Sequence, residues 1–111
     1  MKAFVKKDSD LMVVRVEGEV NTLTTPDLAK EVEDLSGVKS LVFDLDLVDY
    51  VSSAGLRLFL ACQRAMNEVD GTMLITNCNY LMYEIFESVG YNKIMNIEKK
   101  DANGENLTNS K

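Results

Sequence analysis

The chain has 111 residues, enough for one domain with one modest core. Its formal net charge of −6 at pH 7 argues against a nucleic-acid partner, because nucleic acids select basic surfaces, but a basic partner protein stays open. No apolar run approaches the roughly 20 residues of a membrane span, and residues 1–7 lack the apolar stretch of a signal peptide. We therefore expect a cytoplasmic protein with no membrane partner, whose cysteines, Cys62 and Cys78, are reduced and buried.

Five short runs predict the strands of one sheet. Residues 4–6 and 11–17 are joined by a polar turn, and in the second run apolar residues alternate with a period of two. The other strand-like runs are residues 40–45, 72–76 and 93–97. A hairpin pairs antiparallel strands, whereas helical crossovers make the later strands parallel. The sequence therefore predicts an α/β fold, with a mixed, mostly parallel sheet of four to five strands and helices packed against it.

Three segments with apolar residues at helical spacing predict the connecting helices. The first starts with Thr25 as its N-cap and Pro26 at its first helical position, and Gly37 is expected to end it. The second covers residues 54–69, and Asn79 can cap the third. The residues expected to face the sheet are Leu28, Val32 and Leu35 in the first helix, Phe59, Cys62, Met66 and Val69 in the second, and Leu81, Met82, Ile85, Phe86 and Val89 in the third.

The end of the chain has a different composition from the rest. Residues 99–111 are polar and show no apolar periodicity. We therefore expect one domain at residues 1–98, followed by a flexible tail at residues 99–111.

The most informative stretch is V-S-S-A-G-L, residues 51–56, between a strand-like and a helix-like run. Its serines, Ser52 and Ser53, stand where a helix N-terminus begins. Free backbone N–H groups and the positive end of the helix dipole meet there, so the position accommodates an oxyanion, including a phosphate carried by a serine. The alternative, which the shape of the motif favours when taken alone, is that one of these serines only caps the helix.

Apolar residues also occur on the side of the helix that carries Ser53. At 100° per residue, Leu56, Arg57 and Leu60 project on that side. An apolar pair bordered by polar groups beside a serine is typical of a partner-docking patch. The alternative is that loops around the helix start cover Leu56 and Leu60, and both interpretations stay open.

Missing residue types exclude whole classes of chemistry. The chain has no histidine, which excludes Ser-His-Asp and Cys-His machinery, and it has no glycine-rich nucleotide-binding pattern. Asp44 and Asp46 would share one face of a strand and could hold Mg²⁺, although a solvated strand end is the better explanation. An enzyme with Ser53 or Cys62 as nucleophile is a weak alternative, because the only bases nearby in sequence are carboxylates. We expect a protein that is not an enzyme and uses no metal or cofactor.

Five segments, taken in order and with their spacing, carry a family resemblance. They are V-E-G-E-V-N (16–21), L-V-F-D-L (41–45), Y-V-S-S-A-G-L (50–56), D-G-T-M-L (70–74) and I-F-E-S-V-G (85–90). With this combination, the chain from about residue 12 to residue 97 resembles the STAS domains, specifically the stand-alone bacterial anti-sigma-factor antagonists. The resemblance implies a single STAS-like domain.

The resemblance also implies particular roles for individual residues. In the family, a partner kinase phosphorylates a serine that aligns with Ser53. The acidic or amide residue after the family's Gly-Glu aligns with Asn21, and the aspartate of its central strand aligns with Asp44. This chain has Ser52 where members often have aspartate, and its residues 101–111 lack the pattern of the amphipathic helix that often ends the family's domain.

The mechanism implied by the resemblance is a partner switch. The unphosphorylated chain would bind a kinase-type anti-sigma factor, and phosphorylation of Ser53 would add about −1.5 to −2 charges and release it. A metal-dependent serine phosphatase would reset the switch. The residues expected to contact the partner are Asn21, Thr22, Ser52, Ser53, Leu56, Arg57 and Leu60. The alternative function is a STAS-like module that binds an anion, nucleotide or lipid at the same helix start without being phosphorylated.

Overall fold

Alternating apolar residues build one five-stranded sheet. The computed structural model describes residues 1–100, with β1 at Lys2–Asp8, β2 at Leu11–Glu17, β3 at Ser40–Leu47, β4 at Thr72–Cys78 and β5 at Asn96–Lys99. The strands lie in the order β1-β2-β3-β4-β5. β1 and β2 form an antiparallel hairpin in which Phe4 pairs with Arg15, and the remaining neighbours are parallel. The predicted mixed, mostly parallel sheet is confirmed.

Three α-helices cover one face of this sheet. They are α1 at Thr25–Glu31, α2 at Ser53–Glu68 and α3 at Tyr80–Ser88. The side chains of β2, β3 and β4 that point towards the helices are buried, namely Met12, Val14, Val16, Leu41, Phe43, Leu45, Met73 and Ile75. The opposite face carries half-buried Val13, Val42 and Leu74, and no helix within residues 1–100 covers it. We call it the helix-free face.

The predicted position of the last strand, residues 93–97, is wrong. Residues Tyr91–Lys93 form a 3₁₀ helix, and β5 begins only at Asn96. Gly90 reverses the chain with φ +81°, and the ring of Tyr91 then stacks on Phe86 with 6.2 Å between centroids. These contacts hold residues 91–93 against the helices and keep them out of the sheet.

The predicted bounds of the first helix are also wrong. Thr24 occupies the N-cap position, Thr25 is the first helical residue, and α1 already ends at Glu31. Gly37 instead belongs to a separate turn with φ +78°, in which the Ser36 N–H donates to Asp34 Oδ1. The helix therefore ends before the turn that the glycine allows.

The core sides of α2 and α3 are narrower than predicted. Phe59, Cys62 and Met66 are buried as expected, but Val69 is exposed because it follows the last turn of α2. In α3, Met82 and Phe86 are buried, whereas the predicted core residues Leu81 and Val89 are exposed, since only one side of this nine-residue helix meets the sheet. The predicted cap of α3 is confirmed, because Asn79 Oδ1 accepts from the Met82 N–H at 2.7 Å.

The three helices all begin at one edge of the sheet. Each follows a parallel strand, so the loops at residues 18–24, 48–52 and 79 lie where β2, β3 and β4 end. We call this side the carboxyl edge and the opposite side the amino edge. Within residues 1–100, no helix is long and apolar enough to span a membrane. The C-terminal part of the predicted tail, residues 101–111, lies outside the described residues, and so does any helix there.

Candidate functional site

The two serines at the start of α2 have different environments. Ser53 is the first residue of the helix, and its side chain is exposed. Ser52 occupies the N-cap position with extended backbone, φ −82° and ψ 176°, yet its hydroxyl makes no capping hydrogen bond. Ser52 Oγ is buried and has no hydrogen-bond partner within residues 1–100. The expectation that a serine hydroxyl caps this helix is therefore wrong for Ser52, and Ser53 lies inside the helix.

Backbone hydrogen bonds connect the segment at the start of α2 to the loop after β2. The Ser52 N–H donates to the Val20 carbonyl at 2.7 Å, and the Val20 N–H donates to the Tyr50 carbonyl at 2.9 Å. Val20 and Val51 form an isolated parallel bridge. A Cβ on Gly55 would lie 2.7 Å from Val51 Cγ1 and 2.8 Å from Val20 Cγ1. The glycine of the motif therefore allows α2 to begin directly against this bridge.

The Asn21 side chain organises the same loop. Its Oδ1 accepts from the N–H groups of Leu23 at 2.9 Å and Thr24 at 3.0 Å, which is an Asx-type turn. The Asn21 carbonyl in turn accepts from the Thr25 N–H at 2.8 Å, and Thr22 is exposed at the tip of the loop. Asn21 therefore shapes the loop, whereas Thr22 presents its side chain to the solvent.

The predicted apolar pair on α2 is only partly accessible. Leu56 and Leu60 are half-buried and pack against the core, while Arg57 between them is exposed. The hydroxyl of Tyr91 donates to the Leu56 carbonyl at 3.1 Å, so the segment before β5 lies against this turn of α2. Both leucines therefore contribute to packing, and the segment before β5, which the sequence pattern did not indicate, lies beside Leu56.

The electrostatics at the start of α2 favour a negative charge. The first turn contains no acidic residue that would offset the positive end of the helix dipole. The N–H groups of Ser53, Ala54 and Gly55 also lack intrahelical acceptors, as in any first helical turn. A phosphate on Ser53 would meet donors and a favourable field.

Both cysteines, Cys62 and Cys78, are buried. Burial raises the pKa of the Cys62 thiol to about 11, and it raises the pKa of Cys78 to about 12 despite the opposing charge of Lys99. Both thiols are therefore protonated at neutral pH, and the thiolate is the nucleophilic form. This argues against an enzyme that uses Cys62 as its nucleophile.

The aspartates of β3 have protein partners. Asp44 Oδ1 accepts from Asn77 Nδ2 at 3.0 Å and from the Asp46 N–H at 3.1 Å. Asp46 Oδ1 pairs with Lys100 Nζ at 3.1 Å. Within residues 1–100, no group of three or more His, Cys, Asp or Glu side chains could hold a metal ion. The two carboxylates are therefore parts of polar contacts on the helix-free face.

Three clefts lie elsewhere on the molecule. One of about 510 Å³ is on the helix-free face along β4 and β5, and one of about 340 Å³ lies on the same face near β1. A third of about 240 Å³ separates α1 from α2. Ser53 lines none of these three, so the predicted site is a surface at the carboxyl edge rather than one of these cavities.

The sequence patterns missed several exposed apolar residues beside this surface. Leu23 lies in the loop shaped by Asn21, and Tyr80 and Leu81 open α3 at the same edge. Helical spacing assigned Leu81 to the core, and Leu23 belonged to no predicted element. The one available signal was a leucine inside a polar loop, N-T-L-T-T, where burial is not expected.

Comparisons with known proteins identify related chains. The family model described as STAS domain matches residues 2–103. BtrV of Bordetella bronchiseptica is 29% identical over 93 residues, which are 82% of this chain and 80% of BtrV. The anti-sigma-B factor antagonist of Staphylococcus aureus is 27% identical over 88 residues, 78% of this chain and 82% of that protein. The solved structure of phosphorylated Bacillus SpoIIAA has a TM-score of 0.71 at 17% identity, over 86% of this chain and 90% of that chain, and shows the shared fold.

Proposed function

The chain belongs to the STAS domain family, and we propose that it is an anti-sigma-factor antagonist controlled by phosphorylation of Ser53. In the unphosphorylated state it would bind a kinase-type anti-sigma factor and so free a sigma factor. The name of the Staphylococcus aureus relative supports the antagonist role. The observation that carries the choice of residue is the exposed side chain of Ser53 at the start of α2, beside the buried hydroxyl of Ser52.

The modification is an ordinary phosphoryl transfer. Ser53 Oγ attacks the γ-phosphate of ATP, its proton passes to a base of the kinase, and ADP leaves. An exposed hydroxyl can enter a kinase active site, whereas Ser52 Oγ is buried. This chain is the substrate, so the catalytic groups belong to the kinase.

The fold can accept the product of this reaction. The phosphate would lie at the free N–H groups of the first turn of α2, where no acidic side chain repels it. Exposed Arg57 stands one helical turn after Ser53, a spacing at which side chains on a helix meet. The phosphorylated chain should therefore remain folded.

Release follows from the free-energy cost of burying that phosphate against the partner. In the complex, a group carrying about −1.5 to −2 charges would lose its water against the partner, which disfavours docking. A metal-dependent serine phosphatase would hydrolyse the phosphate ester and restore binding, and the cycle would run in the cytoplasm. The residues that we propose to contact the partner or shape its docking surface are Asn21, Thr22, Ser52, Ser53, Leu56, Arg57 and Leu60.

The direct experiment is phosphorylation in vitro. Each small ATPase-type kinase encoded in the same genome is purified and incubated with ATP and the chain, and intact mass reports the phosphate. We expect one kinase to add one phosphate to the wild type and to Ser52→Ala, and none to Ser53→Ala. Full modification of Ser53→Ala with loss in Ser52→Ala would reverse the assignment. No phosphate with any of these kinases would favour the ligand-binding alternative.

A further inference from the structure

The helix-free face carries an apolar row that runs across the sheet. The strand register aligns one residue from each strand, β1 to β5, namely Lys6, Val13, Val42, Leu74 and Asn96. The three apolar residues in the middle of the row are half-buried, and no helix within residues 1–100 packs on them. Sheets built mainly from parallel strands are normally covered on both faces. This face therefore lacks a layer that such sheets usually have, and an uncovered apolar face is typical of an interaction surface.

Charges of opposite sign lie at the two ends of this row. At the β1 end, Lys6 and Arg15 line the cleft of about 340 Å³, and Arg15 Cζ lies 5.4 Å from the centre of the Phe4 ring. At the β5 end, Glu98 lines the cleft of about 510 Å³ and accepts a hydrogen bond from Thr76 Oγ1 at 3.2 Å. Basic side chains therefore border the apolar row at β1, and an acidic side chain borders it at β5.

We propose that the helix-free face binds a second copy of this chain, related by a two-fold axis that runs parallel to the strands at β3. This rotation reverses the strand order, so β1 of each copy lies over β5 of the other. Stacked sheets pack with their strands within about 30° of each other, which this arrangement allows. Val13 of one copy then meets Leu74 of the second copy, and Val42 meets its own equivalent.

The charge pattern identifies a second copy as the occupant. After the two-fold rotation, Lys6 and Arg15 of each copy lie beside Glu98 of the other, so the favourable contact forms twice. A partner with one sign of charge would be repelled at one end of the row. Asp44, which lies next along β3 from Val42 on this face, would face its own equivalent and oppose association. The face is therefore complementary to itself at its ends and repulsive near its centre.

The expected dimer is weak. Five strands about 4.8 Å apart, most of them seven or eight residues long, give a face of roughly 20 by 20 Å. This is about half of the 800 Å² that a standard interface buries on each partner, so we expect a dissociation constant of roughly 10–100 μM. Ser53 lies at the start of α2, on the other side of the sheet, and would stay accessible in both copies. The inference therefore does not depend on phosphorylation.

Charge reversal with rescue tests this geometry. Sedimentation equilibrium of the full chain is measured from about 5 to 500 μM, a range that brackets the expected constant. Lys6→Glu and Glu98→Lys should each weaken association at least about tenfold, because like charges would then face each other in both symmetric contacts. An equimolar mixture of the two variants should recover to within about threefold of the wild type, since each contact again joins opposite charges.

Matched charge reversals on the helix side are the control. Glu87→Lys and Lys93→Glu change exposed charges of α3 and of the 3₁₀ helix, and they alter the net charge by the same amounts. Both should stay within about twofold of the wild-type constant, because these residues lie outside the proposed interface. Urea midpoints should show that all four variants remain folded.

The other outcomes would overturn the proposal. They are a monomer at every concentration, a dimer that neither Lys6→Glu nor Glu98→Lys weakens, and weakened variants whose mixture does not recover. A dimer that forms only after deletion of residues 101–111 would assign the face to that segment instead. Phosphorylation of Ser53 is measured on the same wild-type sample, and its absence would remove the proposed function while leaving the result on self-association unchanged.

Discussion

The two sides of α2 differ in what surrounds them. The side towards the sheet carries Phe59, Cys62 and Met66, which are almost fully buried, and Phe59 contacts rings from β3 and α3. The other side begins with exposed Ser53 and continues with exposed Arg57. Substitutions on the first side should therefore change the free energy of unfolding, and substitutions on the second side should change partner binding. Half-buried residues such as Leu60 lie between these two cases and test whether stability and partner binding can be separated.

The largest expected effect is on the buried side. Phe59→Ala should lower the free energy of unfolding by about 3–5 kcal/mol, because it leaves a cavity beside Phe43 and Phe86, whose ring centroids lie 4.9 and 6.1 Å away. Urea melts followed by circular dichroism measure the loss. A loss under about 1 kcal/mol would mean that the core collapses around the missing ring, and α2 would then have no strongly stabilising side.

Adding a methyl group at the start of α2 should lower the free energy of unfolding almost as much. In Gly55→Ala the new methyl group would lie within 3 Å of Val20 and Val51, so we expect a loss of about 1–3 kcal/mol in the urea melt, although alanine is the better helix former. Phosphorylation should slow as well, because Ser53 would be displaced. Ser52→Ala is the control. It removes a buried hydroxyl without a partner in residues 1–100 and should change stability little.

Leu60→Ala tests the half-buried positions. A buried leucine would lose about 2–5 kcal/mol and an exposed one at most about 0.5 kcal/mol, so a half-buried leucine should fall between them, at about 1–2 kcal/mol. Its affinity for the kinase-type partner, measured on the folded variant, shows whether the residue also contacts the partner. If Leu60→Ala lowers the free energy of unfolding as much as Phe59→Ala does, Leu60 is a core residue. Docking at the carboxyl edge would then depend on other side chains.

The smallest effect on stability is expected at Ser53. Ser53→Asp should leave the urea midpoint unchanged or raise stability by about 0.3–1 kcal/mol, because a carboxylate at a helix N-terminus is favourable and no acidic residue is present there. A pull-down should nevertheless show weaker partner binding by Ser53→Asp, and retained binding by Ser53→Ala. Equal binding by the two variants would contradict the charge mechanism.

Local patterns predicted most of the fold. The period of two in β2 and the helical spacing in α2 identified those elements, and the predicted span of β2 is confirmed. The errors fall where tertiary contacts, or side-chain hydrogen bonds within a loop, decide the conformation. Tyr91 packs on Phe86 and bonds to α2, which converts the start of a predicted strand into a 3₁₀ turn. Loop bonds from Asn21 move the start of α1 by one residue.

In the candidate site, too, local patterns predicted some features and tertiary packing decided the others. The V-S-S-A-G-L motif located both serines at a strand-to-helix junction, because glycine, serine and the change of hydrophobic period are local signals. The motif could not distinguish Ser52 from Ser53 by accessibility, because tertiary packing and not local sequence decides whether a hydroxyl is buried. Leu81 was misassigned for a related reason. Helical periodicity reports which residues share a side, but only packing decides how wide the covered side is.

The sequence alone determined the α/β class, the element that carries the serines and the acidic balance that argues against nucleic acid. These depend on local periodicity and composition, which neighbours along the chain define. Only the tertiary structure brought Val20 against Val51, exposed Ser53 while burying the hydroxyl of Ser52, and left Leu23, Tyr80 and Leu81 exposed at the carboxyl edge. Those features depend on contacts between residues distant in sequence, and their geometry follows from how three helices pack on one face of a parallel sheet.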